Sequence, residues 1–330
     1  MSVKMANSGN AINYSFRPAK NIERKMLRDI FLRLSPVGVF SDYQYIGFGS
    51  KYFIDFIMIH KYLNVQDMTS IENDTRFKNR YIFNKPYDCI KLFFGQSGEI
   101  LPALNLTKKT IAWLDYDSTF SKSMLNDLST LIERLPSGSI ITLSYNSEPY
   151  RENDLTKHFG KNVENLYRRK FEEIFGREFI PGDFDERGWT NKVKFSKFIR
   201  QVILSQIESV LSKRNSLCLE KDKYKFQQVA YFDYADGARM STLSFVLFNK
   251  CEQNNFENCR ANELFFYRDG DISYEIKVPN LTTKEIRYLM EKMPRMDNID
   301  FDRKIFNEGD VLEFGKNYKY YPSFFESDSI

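Results

Sequence analysis

The chain has 330 residues, enough to bury a full core as one large domain. Its 48 basic and 44 acidic residues leave a formal charge of +4, too small to demand nucleic acid as a partner. The 4 cysteines form no CxxC pair and His60 and His158 stand alone, so zinc and iron–sulfur spacings are excluded; free thiols in a reducing cytoplasm are expected. No N-terminal apolar stretch and no run of about 18 apolar residues occurs, so neither a secretory leader nor a membrane span is expected.

In chain order, residues 1–16 read as a polar, mobile lead. A helix is predicted from Pro18 to Leu34, with Ile22, Met26, Leu27, Ile30 and Phe31 on one stripe and Ser35-Pro36 as its stop. Tyr43–Gly47 reads as a strand, followed by Gly49 and an amphipathic helix, Tyr52–Leu63. The alternation repeats with strand Met68–Glu72, helix Thr75–Phe83 (capped by Asn73 or Asp74) and strand Cys89–Phe94. Strand Thr110–Leu114 runs into Asp115-Tyr116-Asp117. A helical stripe from Met124 to Leu135 precedes the strand Ser139–Tyr145, whose continuous apolar pattern implies burial on both faces. Five strands alternating with helices imply right-handed crossovers and a parallel sheet.

Beyond residue 150 a long helix is predicted over Asn191–Lys213. Two strand-like runs follow, Phe226–Tyr234 and Thr242–Asn249, joined through Asp236-Gly237 as a hairpin. Thr282 and Glu285 form a capping box before a last clear helix. The domain reading is a lead and cap helix over 1–40, a doubly wound domain over 41–250 with a helical insertion at about 151–222, and an extension over 251–330 packed on the same domain. The aromatic share of 16% reads as core filling.

In an open parallel sheet, ligands sit at the carboxyl ends of the strands. After the first strand, Gly47-Phe48-Gly49-Ser50 allows a tight turn with close backbone approach; a plain packing turn is the alternative. Glu72 ends the second strand and could accept ribose hydroxyls, or cap the next helix together with Asn73. Tyr52 stands where a dinucleotide fingerprint needs a third glycine, and no GxxxxGK[ST] loop exists. An adenosyl ligand without phosphates remains. Asp115 and Asp117 could take a proton from an attacking hydroxyl, hold Mg²⁺, or fix a loop.

Three basic residues, Arg17, Lys20 and Arg24, precede the first strand. They read as a solvated basic face or as a clamp on a substrate phosphate or carboxylate. Asn146 and Glu148, after the fifth strand, are further candidates for substrate contact, and His158 lies near that edge. Residues 156–225 carry 16 Lys or Arg against 10 Asp or Glu, which is a solvated helical face or a site for an anionic partner such as nucleic acid.

The stretches RPAKNIERKML, YIGFGSKYFIDF and WLDYDS, with the terminal YKYYPSF, make the chain resemble class I S-adenosylmethionine-dependent methyltransferases, and within them a bacterial group described as O-methyltransferases. The resemblance spans about residues 17–250. It implies a Rossmann-like, doubly wound, mostly parallel α/β sheet whose C-terminal antiparallel hairpin forms the sixth and seventh strands, with helical additions. It further implies S-adenosylmethionine as cofactor. Gly47, Phe48, Gly49 and Ser50 would flank its methionine part, Glu72 would hold the ribose with Asn73 as a further cofactor contact, Gln96 and Ser97 would lie near adenine, and Asp115 and Asp117 would line the reaction centre, Asp115 also touching the cofactor. The family usually carries an acid two residues before its first glycine, where this chain has Tyr45. The Asp-Tyr-Asp cluster differs from the [DN]PP[YF] tetrapeptide of enzymes that methylate amines of DNA bases. Two functions follow: a methyltransferase expected to be O-directed, or a catalytically degenerate binding or scaffold subunit, either of them open to nucleic-acid association through 156–225.

Overall fold

The computed structural model describes residues 17–182, 184–185, 187–295 and 301–322. The polar lead over 1–16 and the end of the YKYYPSF stretch lie outside them. Eight strands form one sheet in the order β3-β2-β1-β4-β5-β7-β6-β8. They are β1 Gln44–Gly47, β2 Asp67–Glu72, β3 Ile90–Phe94, β4 Thr110–Thr119, β5 Ser139–Asn146, β6 Tyr224–Asp236, β7 Ala238–Asn249 and β8 Tyr274–Ile276. β7 alone runs antiparallel to its neighbours, against β5 and β6. The sheet is therefore mostly parallel and doubly wound, with the order reversing between β1 and β4.

Side chains alternate along each strand, so the sheet feeds two cores. Tyr45, Met68, Ile111, Trp113 and Ile140 face α1 (Pro18–Arg33), α2 (Ile54–Leu63) and the C-terminal segment, which adds Phe266, Leu289 and Phe314. Ile46, Ile71, Ala112, Leu114 and Ile141 face the other side. The smaller helices that follow β2 and β3 are α3 Lys78–Asn84 and α4 Ser97–Ile100. On the second face lie α5 Lys122–Arg134, α6 Glu152–Phe159, α7 Leu166–Phe175 and α8 Lys192–Asn215. Aromatic residues fill both cores; on this face Phe171 meets Phe198 at 4.5 Å between ring centroids, and Phe184 stacks on Trp189 at 4.8 Å.

Several sequence boundaries need correction. The helix expected from Thr75 begins with a 3₁₀ turn, Thr75–Phe77, because Asp74 accepts from the Arg76 N–H; the α-helix starts at Lys78. The helix after the glycine turn starts at Ile54, because Ser50 and Phe53 have positive φ, 50° and 49°. β4 does not stop at Leu114 but continues to Thr119, and its ladder with β5 is irregular between Asp115 and Thr119. The three-residue strand β8 has no counterpart in the sequence reading and places residues 274–276 in the sheet, parallel to β6. The basic face expected at Lys20 and Arg24 is not solvated: they are 3% and 5% exposed. Of the described residues, no helix is long and apolar enough to cross a membrane.

Candidate functional site

The switch in strand order between β1 and β4 opens a crevice at the carboxyl ends of the strands, where ligands of such sheets bind. A cavity of about 880 Å³ lies there. Its wall is built from the turn after β1 (Phe48, Gly49, Ser50), the end of β2 (Ile71, Glu72, Asn73), the loop after β3 (Gly95, Gln96, Ser97) and the irregular end of β4 (Asp115, Tyr116, Asp117). Four separate loops thus converge. The β4 irregularity does so by turning Tyr116–Ser118 out of the ladder and into the wall.

The glycine turn is sterically dictated. A Cβ on Gly49 would stand 2.4 Å from the Phe53 ring and 2.7 Å from Ser70 Oγ. Gly47 is not a lining residue; a Cβ there would meet the Tyr45 hydroxyl at 2.7 Å, so its lack of side chain serves packing under the turn. Tyr45, in the place of the family's usual acid, is a buried wall of the core.

Glu72 closes the turn. Its Oε1 accepts from the Gly49 N–H at 2.9 Å and from Ser70 Oγ at 2.6 Å. The carboxyl is 4% exposed. Burial pushes its pKa from 4.5 up to about 7, against the lowering effect of the Ser70 hydroxyl and the Gly49 and Ser50 N–H groups. Across the mouth, Gln96 Nε2 donates to Asn73 Oδ1 at 2.6 Å and ties the β3 loop to the β2 loop.

Behind the wall, Ser97 Oγ and Tyr116 OH both donate to Asp127 Oδ2 of α5, at 2.5 and 2.6 Å. Asp127 is 1% exposed, and burial raises its pKa against those two bonds. Tyr116 in turn meets Phe48 edge to face at 5.1 Å. The hydroxyl of Ser97 is therefore engaged with protein, and the flat surface offered to a ligand here is aromatic.

At the far side, Lys20 Nζ lies 2.9 Å from Asp115 Oδ1 and 2.9 Å from Glu23 Oε2, and donates to Tyr234 OH at 3.1 Å. Burial would discharge this lysine; Asp115 and Glu23 outweigh it and hold the ammonium well above the ordinary lysine range. Glu23 itself accepts from the Thr242 hydroxyl. Arg24, one turn along α1, donates from Nε to Asp55 Oδ1 at 2.5 Å, and both residues line the cavity.

Phe48, Gly49, Ser50, Glu72, Asn73, Gln96, Ser97, Asp115 and Asp117 of the sequence-derived set share this one wall. Of the substrate candidates, Arg24 lines this cavity, whereas Arg17, Lys20, Asn146 and Glu148 are not among its lining residues. Asn146 Oδ1 accepts from the Glu148 N–H at 2.8 Å, and Glu148 pairs with Lys192 at 3.0 Å. Arg17 stands at the N-terminus of α1, and Lys20 reaches the site only through Asp115. His158 pairs with Glu173 on the surface. Within 156–225, Arg168, Lys170, Arg177, Lys192 and Lys197 each pair with a nearby carboxylate. Sequence reading missed Tyr52, Asp55, Asp74, Arg76 and Tyr116 as wall residues. A signal existed for Asp55, an acid in the first turn after the glycine loop. Among the described residues, no group of three or more His, Cys, Asp or Glu could hold a metal ion.

A family model described as "Putative O-methyltransferase" matches residues 12–329. No curated protein matches the chain. Among solved structures, the chain is similar to a "putative transferase" of Pyrococcus horikoshii, with 10% identity and a TM-score of 0.36, over 67% of this chain and 64% of that one, less than two thirds of its length. It is also similar to the O-methyltransferase TomG of Streptomyces achromogenes, involved in tomaymycin synthesis and solved with SAM, with 10% identity and a TM-score of 0.36 over 76% of this chain and 93% of that one. The SAH-bound methyltransferase PaMTH1 of Podospora anserina gives 8% identity and a TM-score of 0.31 over 66% of this chain and 76% of that one. None of these likenesses carries residue roles across.

Proposed function

This chain belongs to the family described as "Putative O-methyltransferase", and from that premise we propose that it transfers a methyl group from S-adenosylmethionine to an acceptor oxygen. The observation that carries the reading is the single cavity wall that unites the glycine turn, Glu72, the β3 loop and the Asp115–Asp117 segment. Its volume of about 880 Å³ is at the upper end of the range for small-molecule sites, roughly 300–1,000 Å³, which leaves space for a donor and a small acceptor together.

The residues fit a phosphate-free adenosyl group. Phe48 and Ser50 of the glycine turn line the cavity, and Glu72 offers a buried carboxylate to ribose hydroxyls. Phe48 and Tyr116 give an aromatic surface for a flat base, with Asn73 and Gln96 at its polar edge. The bound donor supplies a sulfonium-activated methyl group, which passes to the acceptor oxygen as the sulfur–carbon bond breaks and S-adenosylhomocysteine is left. Asp117, exposed on the wall, takes the acceptor proton. Asp115, held by Lys20 at 2.9 Å, orients the reacting groups. Mg²⁺ has no part in this scheme, since the two carboxylates have different duties.

A second reading, a binding or scaffold subunit without turnover, is supported by one observation: Glu72 Oε1 and Asp115 Oδ1 both already have protein donors. Methyl-labelled S-adenosylmethionine separates the two. The enzyme reading expects label in a small hydroxylated acceptor from cell extract. Binding without any transfer, to small molecules, protein or nucleic acid, would favour the scaffold.

A further inference from the structure

We propose that Asp127 is a positioning residue: through Ser97 and Tyr116 it couples the loop after β3 to the irregular end of β4 that carries Asp117. The inference goes beyond the donor reading above, and only its ligand measurements rest on that reading.

Asp127 sits on the buried stripe of α5, beside Met124 and Leu128, where an apolar side chain would complete the core. It is 1% exposed and does not line the cavity. Its surroundings supply two hydroxyls rather than a cation: Ser97 Oγ at 2.5 Å and Tyr116 OH at 2.6 Å, both donating to Oδ2. A buried carboxylate held in this way carries a desolvation cost that an apolar residue at the same place would not. What it contributes in return is the placement of its two donors.

Both donors belong to segments that no continuous ladder fixes. Ser97 opens α4, a helix of four residues whose N-cap, Gln96, makes no side-chain capping bond. Tyr116 lies where the β4–β5 ladder is irregular, between Asp115 and Thr119. Burial and the Asp127 charge keep the Tyr116 hydroxyl protonated, so that it remains a donor. From Tyr116 the constraint passes to Phe48, whose ring it meets edge to face at 5.1 Å. From the β3 loop it passes to Asn73, which accepts from Gln96 Nε2 at 2.6 Å. One buried carboxylate thus reaches all four loops of the wall, and Asp117 is the residue next to one of its two anchors.

The test uses the full chain and two readouts. In hydrogen exchange without ligand, Asp127→Ala should speed exchange in residues 95–98 and 115–119 together, because both lose the same anchor. In calorimetric titration the same variant should bind S-adenosylhomocysteine about ten-fold more weakly. Tyr116→Phe and Ser97→Ala, which remove one hydroxyl each, should each weaken binding in the parent and add little in the Asp127→Ala background. Asp127→Asn keeps an acceptor oxygen for the hydroxyls and should restore most of the affinity. A folded Asp127→Ala protein that melts lower but binds as the parent does would overturn the proposal in favour of a purely structural contact. Faster exchange in only one of the two segments, or fully additive losses, would overturn the coupling. A parent that binds no S-adenosylhomocysteine removes the donor reading, while the exchange comparison still decides whether Asp127 couples the two segments.

Discussion

Lys20 Nζ and Asp115 Oδ1 stand 2.9 Å apart between α1 and β4, with side chains 3% and 13% exposed. Each carboxylate and ammonium in this cluster exists in low dielectric only because the other is there. Lys20→Met removes the one cation between Glu23 and Asp115 and should destabilise the fold by about 3–5 kcal/mol. A urea denaturation series measures it. A change below about 1 kcal/mol would show that the pair contributes nothing to stability.

The two aspartates of the β4 segment should separate in kinetics. Asp117→Asn should lower turnover by about 10²–10⁴-fold with little change in donor affinity, as expected for loss of a general base. Asp115→Asn should chiefly disturb stability and acceptor KM, because it leaves Lys20 facing Glu23 alone. Methyl-transfer kinetics on both variants checks this; equal effects on turnover would refute the division of labour.

Glu72 gives a pH dependence with a definite sign. Its carboxyl ordinarily titrates near 4.5 and here near 7. Between those values the folded protein keeps a proton that the unfolded chain has released. Stability is therefore greatest below the lower value and falls as pH rises through this window. The loss is roughly 3 kcal/mol for such a shift in a nearly buried group. Glu72→Gln, which cannot titrate, should flatten the slope. Denaturation midpoints from pH 4.5 to 7.5 measure it, and parallel profiles for both proteins would contradict the assignment.

Gly49→Ala tests the glycine turn. The added methyl meets Phe53 and Ser70 at contact distances no side chain sustains, so one of them must move. Overpacking of this kind costs about 1–3 kcal/mol. Thermal melting should show the loss, and a variant as stable as the parent would mean that the turn has room to relax.

The parts of this molecule that were legible in its sequence are those set by local pattern. Apolar runs and Gly or Pro punctuation mark β1 to β5, and Asp236-Gly237 marks the β6–β7 hairpin. The strand-end positions of Phe48–Ser50, Glu72, Gln96 and Asp115 follow from those elements, which is why they share a wall. β8 was not legible, because three residues with Glu275 at the centre give too short an alternation. Nor was the continuation of β4, whose polar Asp115–Thr119 reads as a loop.

Burial of charge was the larger miss. Lys20, Glu23 and Arg24 share a face of α1 at helical spacing, but their partners Asp115 and Asp55 are distant in sequence. The Ser97–Asp127–Tyr116 cluster is similarly long-range, joining residues as far as 30 positions apart. No local pattern announces either.

The central claim is that the wall from Gly49 to Asp117 holds an S-adenosyl ligand through Glu72. Its most direct measurement is a titration of parent and Glu72→Ala proteins with S-adenosylhomocysteine, with folding checked by melting. Saturable one-to-one binding by the parent, weakened in the variant by about 1–3 kcal/mol through unpaired ribose hydroxyls, is the expected result. A folded parent that binds no S-adenosylhomocysteine, or a folded variant that binds it as tightly, would contradict it.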